Sequence, residues 1–445
     1  MNLLNKLKVN DIKLPISVGQ CLSYIPYSCR PIIRQTYVRS KKEIATFNQY
    51  GNKQKEQFIF DRIYAIVKYA ISSVDFYRDY YSACNFKLSD LQTFPDIDKI
   101  PVINKDILLK YPIGKRTNNN VPKYIVNTGG SSGHPLSFYI QPSSMGHEWA
   151  HMHKIWSKLG FHPSDIKLGI AGRGNIKNYI EYDFARHSVA LDMYKPFSMY
   201  SDLLKKLLCK HPVKYLHGYP SALYELALYC KSDTELGDLF RESLQGAFLS
   251  SEYPYSYFRD VIEETFNIPS ISWYGHTERC VLAYEKYEKF KYYPFQTYGY
   301  TEIVKKDDGT HGLIGTSYYN QASPLIRYDT EDSVNNPIYD GHILKSFEIK
   351  EGRKGQFVID KDGNKISLTG LIFGRHHKLF DYCSHIQISQ QKKGEAIILY
   401  VLNKQLPMGE SPDLLFDTIN VNISFLFKKI ESPIKTLSGK VNILV

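Results

Sequence analysis

Between Ile166 and Tyr274 the chain alternates short apolar strands with helices, and nothing else in it restricts the fold so much. The segments run in turn through Ile166–Gly172, Leu203–Cys209, Val213–Leu216, Ser221–Cys230, Gly246–Leu249, Tyr257–Phe266 and Ile271–Tyr274. Strand–helix alternation with short connections predicts an α/β layered domain. Upstream, Gln54–Tyr81 has apolar residues at three- and four-residue spacing and predicts one long helix. Leu91–Pro112, with repeated Pro and Asp, predicts short turns, and Pro142–Leu159 a helix opened by Pro142 and Ser143. From Tyr298 onward the pattern is strand-rich: YTEIV, GLIGTSYY, GQFVID and HIQIS are separated by Gly and Asp turns. At 445 residues the chain exceeds the ~250–300 at which a single core stops growing, so two domains are expected. A turn-like, basic stretch at Gly374–Lys378 marks a plausible boundary before a short tail.

Tyr124–Ile140, YIVNTGGSSGHPLSFYI, holds the clearest local motif. Two strand-like runs flank a Gly/Ser/Thr loop, which predicts a strand–loop–strand unit. Small residues let a backbone approach a ligand closely, and hydroxyls with free N–H groups suit phosphate oxygens. It is not a Walker loop, because no Gly-Lys-Ser/Thr ends it and position 136 is Leu. Taken alone, it is equally an ordinary hairpin.

Bulk properties exclude more than they identify. The net charge of +11 favours anionic partners such as nucleotides, CoA, acidic sugars or nucleic acid. The basic residues are dispersed, however, and the densest group, Arg30–Lys42, lacks the spacing of a nucleic-acid reader; it reads as a solvated face, and no nucleic-acid partner is expected. Seven scattered cysteines without a CxxC pair fit free thiols in a reducing cytosol, so a cytoplasmic location is expected. No apolar run reaches the ~18–20 residues of a membrane span. His147 and His151 stand four apart on a predicted helix, as metal ligands can, but no Glu lies between them in HExxH fashion and no third ligand is evident. They read as surface or core histidines.

Four further segments carry candidate chemistry. SWYGHTER (Ser272–Arg279) ends a strand with an aromatic, a glycine, Thr277 and Glu278. Strand carboxyl ends of α/β sheets are where ligands bind. Tyr274 can lie against a base, Gly275 permits the approach, Thr277 can donate to a phosphate and Glu278 can hold Mg²⁺ among phosphate oxygens. A plain strand-to-helix turn with a capping Thr has the same pattern. In SPLIRYDTEDSV, Asp332 follows a buried-looking strand and suits a ribose diol, while Arg327 and Asp329 can instead form a structural ion pair. Arg375 in LIFGRHHK can reach a ribose or phosphate, and Lys440 in PIKTLSGKV sits on a Gly-preceded turn near the end of the chain.

Together and in this order, TGGSSGHP, YGHTE, RYDTED, GRHHK and KTLSGK resemble the motifs of the adenylate-forming superfamily of acyl-CoA synthetases, luciferases and peptide-synthetase adenylation domains. VDFYRDYY followed by FPDIDKIPVINKDIL, with HGYPSALYELA and TSYYNQASPLIRY, is similar to its phenylacetate–CoA ligase branch, and more narrowly to CapK-type members often linked to capsule or O-antigen polysaccharide synthesis.

The resemblance implies a large multi-layered α/β domain with a β-rich part, residues 1–376, and a small mobile α+β lid, residues 377–445, carrying Lys440. It implies activation of a carboxylic acid by ATP and Mg²⁺ as acyl-adenylate, then transfer to CoA or an amine, with homodimers common among relatives. By the same resemblance Thr128, Gly129, Gly130, Ser131, Ser132 and Gly133 hold the β- and γ-phosphates. Ser251 and Glu252 line adenine, and Tyr274 and Gly275 flank it. Thr277 contacts the α-phosphate and Glu278 binds Mg²⁺. Asp332 accepts the ribose hydroxyls with help from Arg375, and Lys440 bridges carboxylate and α-phosphate. The hinge position falls at His377 or Lys378, where relatives have Asp or Lys. Trp149, Arg173 and Tyr219 are candidates for the acid pocket. Glu331 replaces a glycine beside the ribose acceptor. Glu285 and Tyr293 stand where many relatives have zinc ligands, so no zinc site is expected. Glu331 and the altered hinge also motivate a second reading, a nucleotide-binding protein without turnover.

Overall fold

The computed structural model describes residues 13–128, 136–171, 176–306, 309–349, 357–373, 375, 377–402, 404–434 and 443–445. Strands β1 (Tyr124–Asn127) and β2 (Ser137–Ile140) form the antiparallel pair expected on either side of the glycine loop, in register Tyr124 to Ile140 and Asn127 to Ser137. The loop between them, residues 129–135, lies outside the described residues.

The main sheet takes its strands in chain order: β3 (Lys167–Ile170), β4 (Ile180–Asp183), β5 (Ser188–Leu191), β6 (Tyr215–Gly218), β7 (Gly246–Leu249), β8 (Ser270–Gly275), β9 (Leu282–Tyr284), β10 (Lys291–Pro294), β11 (Gly299–Lys305), β12 (His311–Ser317), β13 (Tyr328–Asp340) and β14 (Ile343–Ile349). They form one 12-stranded sheet in the order β11-β12-β13-β14-β10-β9-β8-β7-β6-β3-β5-β4. β5, β3, β6, β7 and β8 run parallel, with helices in their crossovers: Pro220–Ser232 and Thr234–Ser243 before β7, Ser256–Phe266 before β8. Buried on both faces, β7 reads GAFL without alternation, as a parallel strand should. From β9 to β14 the pairings in this sheet are antiparallel. β8 is therefore the last parallel strand, and its carboxyl end opens at the seam between the two halves.

The three largest apolar cores among the described residues underlie this layout. One joins the helix Asn52–Ser73 and the segment around Tyr77 and Tyr81 to the antiparallel half. A second lies between the parallel strands and their crossover helices. A third brings Val358 and Ile366, from the hairpin β15 (Phe357–Ile359) and β16 (Lys365–Ser367), together with Phe380, Phe416 and the sheet of β17 (Cys383–Lys392), β18 (Glu395–Leu402) and β19 (Ser424–Lys429).

The long helix predicted over Gln54–Tyr81 is two, Asn52–Ser73 and Asp75–Ala83, divided at Val74 in extended conformation. The Phe76 N–H leaves the helical ladder to bond the Lys115 carbonyl (2.9 Å), and the break turns Phe76 and Tyr77 fully inward. The basic stretch Arg30–Lys42 is not merely a solvated face: most of it lies in a helix, Arg34–Phe47, that buries Tyr37, Ser40 and Ile44. His147 and His151 are core residues. His147 bonds the Tyr298 carbonyl through Nε2 (2.8 Å) and the Ser40 hydroxyl through Nδ1 (2.7 Å). His151 bonds the His147 carbonyl through Nδ1 (2.9 Å) and Thr297 through Nε2 (2.9 Å). Burial holds His151 down to about 4 and His147 well below the usual histidine range, so both are neutral and fully committed. All seven cysteines are unpaired. No described helix is long and apolar enough to cross a membrane.

Candidate active site

The chain leaves β8 at Gly275 and turns sharply, the Arg279 N–H closing on the His276 carbonyl (3.1 Å) with Arg279 at φ 56°. Thr277 and Glu278 occupy this turn, both half-buried. Glu278 is held on both oxygens. His276 Nδ1 lies 3.0 Å from Oε2, and the Tyr328 hydroxyl donates to Oε1 (3.3 Å). Burial opposes charge on both groups; the His276 contact nevertheless holds the Glu278 carboxyl below its usual range, and Cys280, whose Sγ is 3.5 Å away, followed by Glu278, holds the imidazole well above its own. Glu278 is therefore an anion, as a cation ligand must be.

Tyr274, one step earlier on β8, donates its hydroxyl to Asp332 Oδ2 (2.6 Å). Burial, then the Asp332 charge, push this phenol well above its ordinary pKa, so it stays a donor. Asp332 does not follow a strand; it lies exposed within β13, after a kink where Glu331 takes φ 65°. Lys105, itself buried, stands 3.6 Å from Glu331. Arg327 is structural, but its partner is Glu302 (2.8 and 2.9 Å), while Asp329 pairs with Lys306 (3.0 Å).

The other candidates are more scattered. Thr128 closes the mouth of the glycine loop: its N–H donates to the Leu136 carbonyl (3.0 Å), and its hydroxyl accepts the Leu136 N–H (2.9 Å). Gly129, Gly130, Ser131, Ser132 and Gly133 lie outside the described residues, as do Arg173 and Lys440. Ser251 follows β7 at φ 67°, a conformation a non-glycine residue holds only under constraint. Glu252 accepts the Ser221 N–H (3.2 Å) in the first turn of the helix Pro220–Ser232. Arg375 is buried against the Tyr194 ring (4.0 Å) and bonded to Asp417 (3.1 Å); its Nε and Nη2 have no partner among the described residues. The His377 ring stacks on Phe416 (3.7 Å), accepts the Asp417 N–H on Nδ1 (2.9 Å) and bonds the Leu371 carbonyl through Nε2 (2.7 Å). Lys378 opens a short 3₁₀ turn, Lys378–Asp381. Asn127, at the end of β1, bonds Asp381 (3.2 Å), so the end of the glycine hairpin touches this segment. Trp149 packs against Trp156 and Tyr27, and Tyr219 is buried in the core of the parallel half.

A search of protein-family models returns no match. In sequence the chain is similar to Protein CapK of Staphylococcus aureus, 23% identical over 348 residues, 75% of each chain. In structure it is similar to 2-hydroxyisobutyryl-CoA ligase with 2-HIB-AMP and CoA in the thioesterification state: 17% identical, TM-score 0.57, covering 89% of this chain and 90% of that one. The same ligase in the postadenylation state with R3-HIB-AMP gives a TM-score of 0.54 over the same shares. This chain has the fold of the adenylate-forming ligases.

Within the adenylate-forming fold, the residues fit a nucleotide and its cation. Asp332 is exposed with one oxygen engaged by Tyr274, and Arg375 keeps two buried donors that have no partner among the described residues. Among the described residues no group of three or more His, Cys, Asp or Glu is placed to hold a metal ion. A cation at Glu278 would take its remaining ligands from phosphate oxygens and water, the mode Mg²⁺ favours. Glu285 has a different occupation: both its oxygens bind Arg259 (2.7 and 2.6 Å). Sequence reasoning did not pick out His276, Tyr328 and Lys105. The His-x-Glu spacing of His276 and Glu278 was the available signal for the first; the other two approach from distant parts of the chain.

Proposed function

We propose that the chain is an ATP-dependent, AMP-forming ligase that activates a carboxylic acid as acyl-adenylate and passes the acyl group to CoA or an amine. One observation carries this reading: the paired Tyr274–Asp332 and the anionic Glu278 stand together at the carboxyl end of β8, on a fold shared with a ligase solved with 2-HIB-AMP and CoA. Two anions, carboxylate and triphosphate, must meet in this reaction, so the site has to supply cationic and dipolar groups placed in advance. Thr128 through Gly133 would hold the outer phosphates, and Ser251 and Glu252 would line adenine. Tyr274 and Gly275 would flank the base, while Asp332, with Arg375, would take the ribose. Thr277 would meet the α-phosphate. Mg²⁺, when bound, supplies charge between phosphate oxygens, and Glu278 would hold it. Lys440 would bridge the carboxylate and the α-phosphate from a lid of residues 377–445 that turns about His377 or Lys378.

Trp149, Arg173 and Tyr219 are proposed for the acid pocket. The similarity to CapK is the ground for a role in polysaccharide synthesis, where a sugar-borne acid or amine is a natural reactant, and the free cysteines support a cytoplasmic site of action. A nucleotide-binding protein without turnover is the less favoured reading, because Lys105 offsets the charge of Glu331, which with the altered hinge motivates it. Carboxylate-dependent ATP–pyrophosphate exchange across aryl, fatty, amino and uronic acids decides the matter. Exchange with one class is expected; ATP binding without exchange for any acid would move the assignment to the binding protein.

A further inference from the structure

A second concave surface runs beside β9, β10 and β14. A groove of about 570 Å³ opens there between the end of the helix Met145–Trp156, the β9–β10 turn and β14. Tyr274, Thr277, Glu278 and Asp332 are not among the residues that line it. This volume is in the range that small-molecule sites occupy.

The lining is strongly one-sided in charge. Lys55, Lys154, Lys158, Lys286 and Lys345 face it, against one carboxylate, Asp340. Lys55 lies 3.8 Å from Asp340, and Lys158 is anchored on the Glu285 carbonyl (2.6 Å). Lys154, Lys286 and Lys345 have no ion-pair partner among the described residues, and Lys154 and Lys345 are exposed. The five lysines come from the helix Asn52–Ser73 (Lys55), the end of the helix Met145–Trp156 and the turn after it (Lys154, Lys158), the β9–β10 turn (Lys286) and β14 (Lys345). Between them are aromatic faces. Tyr284 and Phe295 stack in parallel (4.8 Å, 7°) and are among the lining residues, while Tyr287, 69% exposed, stands edge-on to Tyr293 (5.0 Å, 90°).

We propose that this groove binds an acidic oligosaccharide. Separate lysines, strongly hydrated point charges, match carboxylates carried one per ring along a chain. Flat phenols present an apolar face to the C–H face of a sugar ring and a hydroxyl at its edge. A polyphosphate makes another demand: donors converging on one point, from a helix N-terminus or a nest of backbone amides. Most of the groove's cations lie instead at a helix C-terminal end, in a turn and on a strand; Lys55 stands in the first turn of the helix Asn52–Ser73, where Asp340 pairs with it.

Titration calorimetry of the full chain with trigalacturonate, maltotriose and ADP tests the assignment. Trigalacturonate is expected to bind and maltotriose not to. Lys154→Glu with Lys345→Glu should weaken trigalacturonate at least tenfold, and Tyr287→Ala three- to tenfold; both changes are at exposed positions and should leave the unfolding midpoint in place. Asp332→Ala, at a residue that does not line the groove, should leave this binding unchanged. Absence of trigalacturonate binding, or binding that the groove variants do not alter, overturns the proposal. So does ADP binding that the groove variants abolish, which would make this a phosphate site. Loss of ATP–pyrophosphate exchange bears on the ligase reading and not on the groove.

Discussion

Asp332 is an exposed carboxylate in the middle of a strand, held by one phenol and open on its other oxygen. A carboxylate so placed contributes little to the fold and much to a diol that can pair with it. Asp332→Ala is therefore expected to raise the KM for ATP roughly 10- to 100-fold, the worth of a hydrogen bond to a charged group, about 1.5–3 kcal/mol. The unfolding midpoint should hardly move, and a large stability loss with KM unchanged would make Asp332 a structural residue. Lys167 presents the opposite case. Its ammonium is buried over Trp156 (5.1 Å) and Phe161 (4.7 Å), with the Arg186 carbonyl at 3.2 Å. Burial pushes it down to about 7, against ~10.4 for a free lysine. Below pH 7 both folded and unfolded chains hold the proton, and the fold bears the full cost of a buried cation. Between about 7 and ~10.4 the unfolded chain alone holds it, so stability rises with pH, by up to ~1.4 kcal/mol per pH unit from this group. Lys167→Met should flatten that rise and be more stable than the parent at pH 6. Urea unfolding of both proteins at pH 6, 7.5 and 9 checks this, and parallel stability curves would count against it.

At the scale of elements, a single buried ion pair fastens the strand that carries the site. Arg259, on the helix Ser256–Phe266, meets Glu285 just past β9, and they are 1% and 2% exposed. The same carboxylate accepts the N–H of Ser272 in β8 (2.8 Å) and of Phe290 before β10 (2.7 Å). Glu285→Ala leaves the buried guanidinium with Glu263 alone, 3.5 Å away, and is expected to cost about 3–5 kcal/mol, whereas Arg259→Met combined with Glu285→Leu should recover much of it. A loss below about 1 kcal/mol for the single variant in denaturant unfolding would refute the clamp. Some elements were legible because their residues meet one demand only. Gly246–Leu249 is buried on both faces, and its apolar run marks β7 without ambiguity. The β1–β2 pair showed in its flanking alternation and its glycines. Others serve two masters. The helix Arg34–Phe47 hides its small buried stripe of Tyr37, Ser40 and Ile44 under basic residues, and β13 is polar over much of its length because most of it faces solvent. The site was legible to the same degree. Tyr274, Glu278 and Asp332 stand in recognisable local patterns, but the hydroxyl of Tyr328 and the ammonium of Lys105 reach the site by tertiary packing, which leaves no mark in local spacing.

Over the whole molecule, the proposed reaction joins groups from far apart in the chain, Thr128 near one end of the order and Lys440 near the other. Just past Lys440, Ile443 is fixed to the small sheet, its carbonyl accepting the Ile388 N–H (2.6 Å), and its side chain is part of that core. The same core also takes in Val358, Ile366 and Leu371, from before residue 377. Lys440→Ala is expected to slow adenylation roughly 10²–10³-fold, as loss of one oxyanion donor does, and to affect transfer from supplied acyl-AMP far less. Equal losses in both half-reactions would remove the lysine from the first step. His377 stands where the proposed lid would turn, and it is fastened on both edges and one face: to the Leu371 carbonyl behind it, to the Asp417 amide ahead of it, and to the Phe416 ring. A ring held that way behaves as a rivet rather than a swivel. In a body that turned at His377, as proposed, these attachments would have to be released together, giving separate resting positions, and a substitution that kept one attachment while losing the others would blur those positions into a continuum.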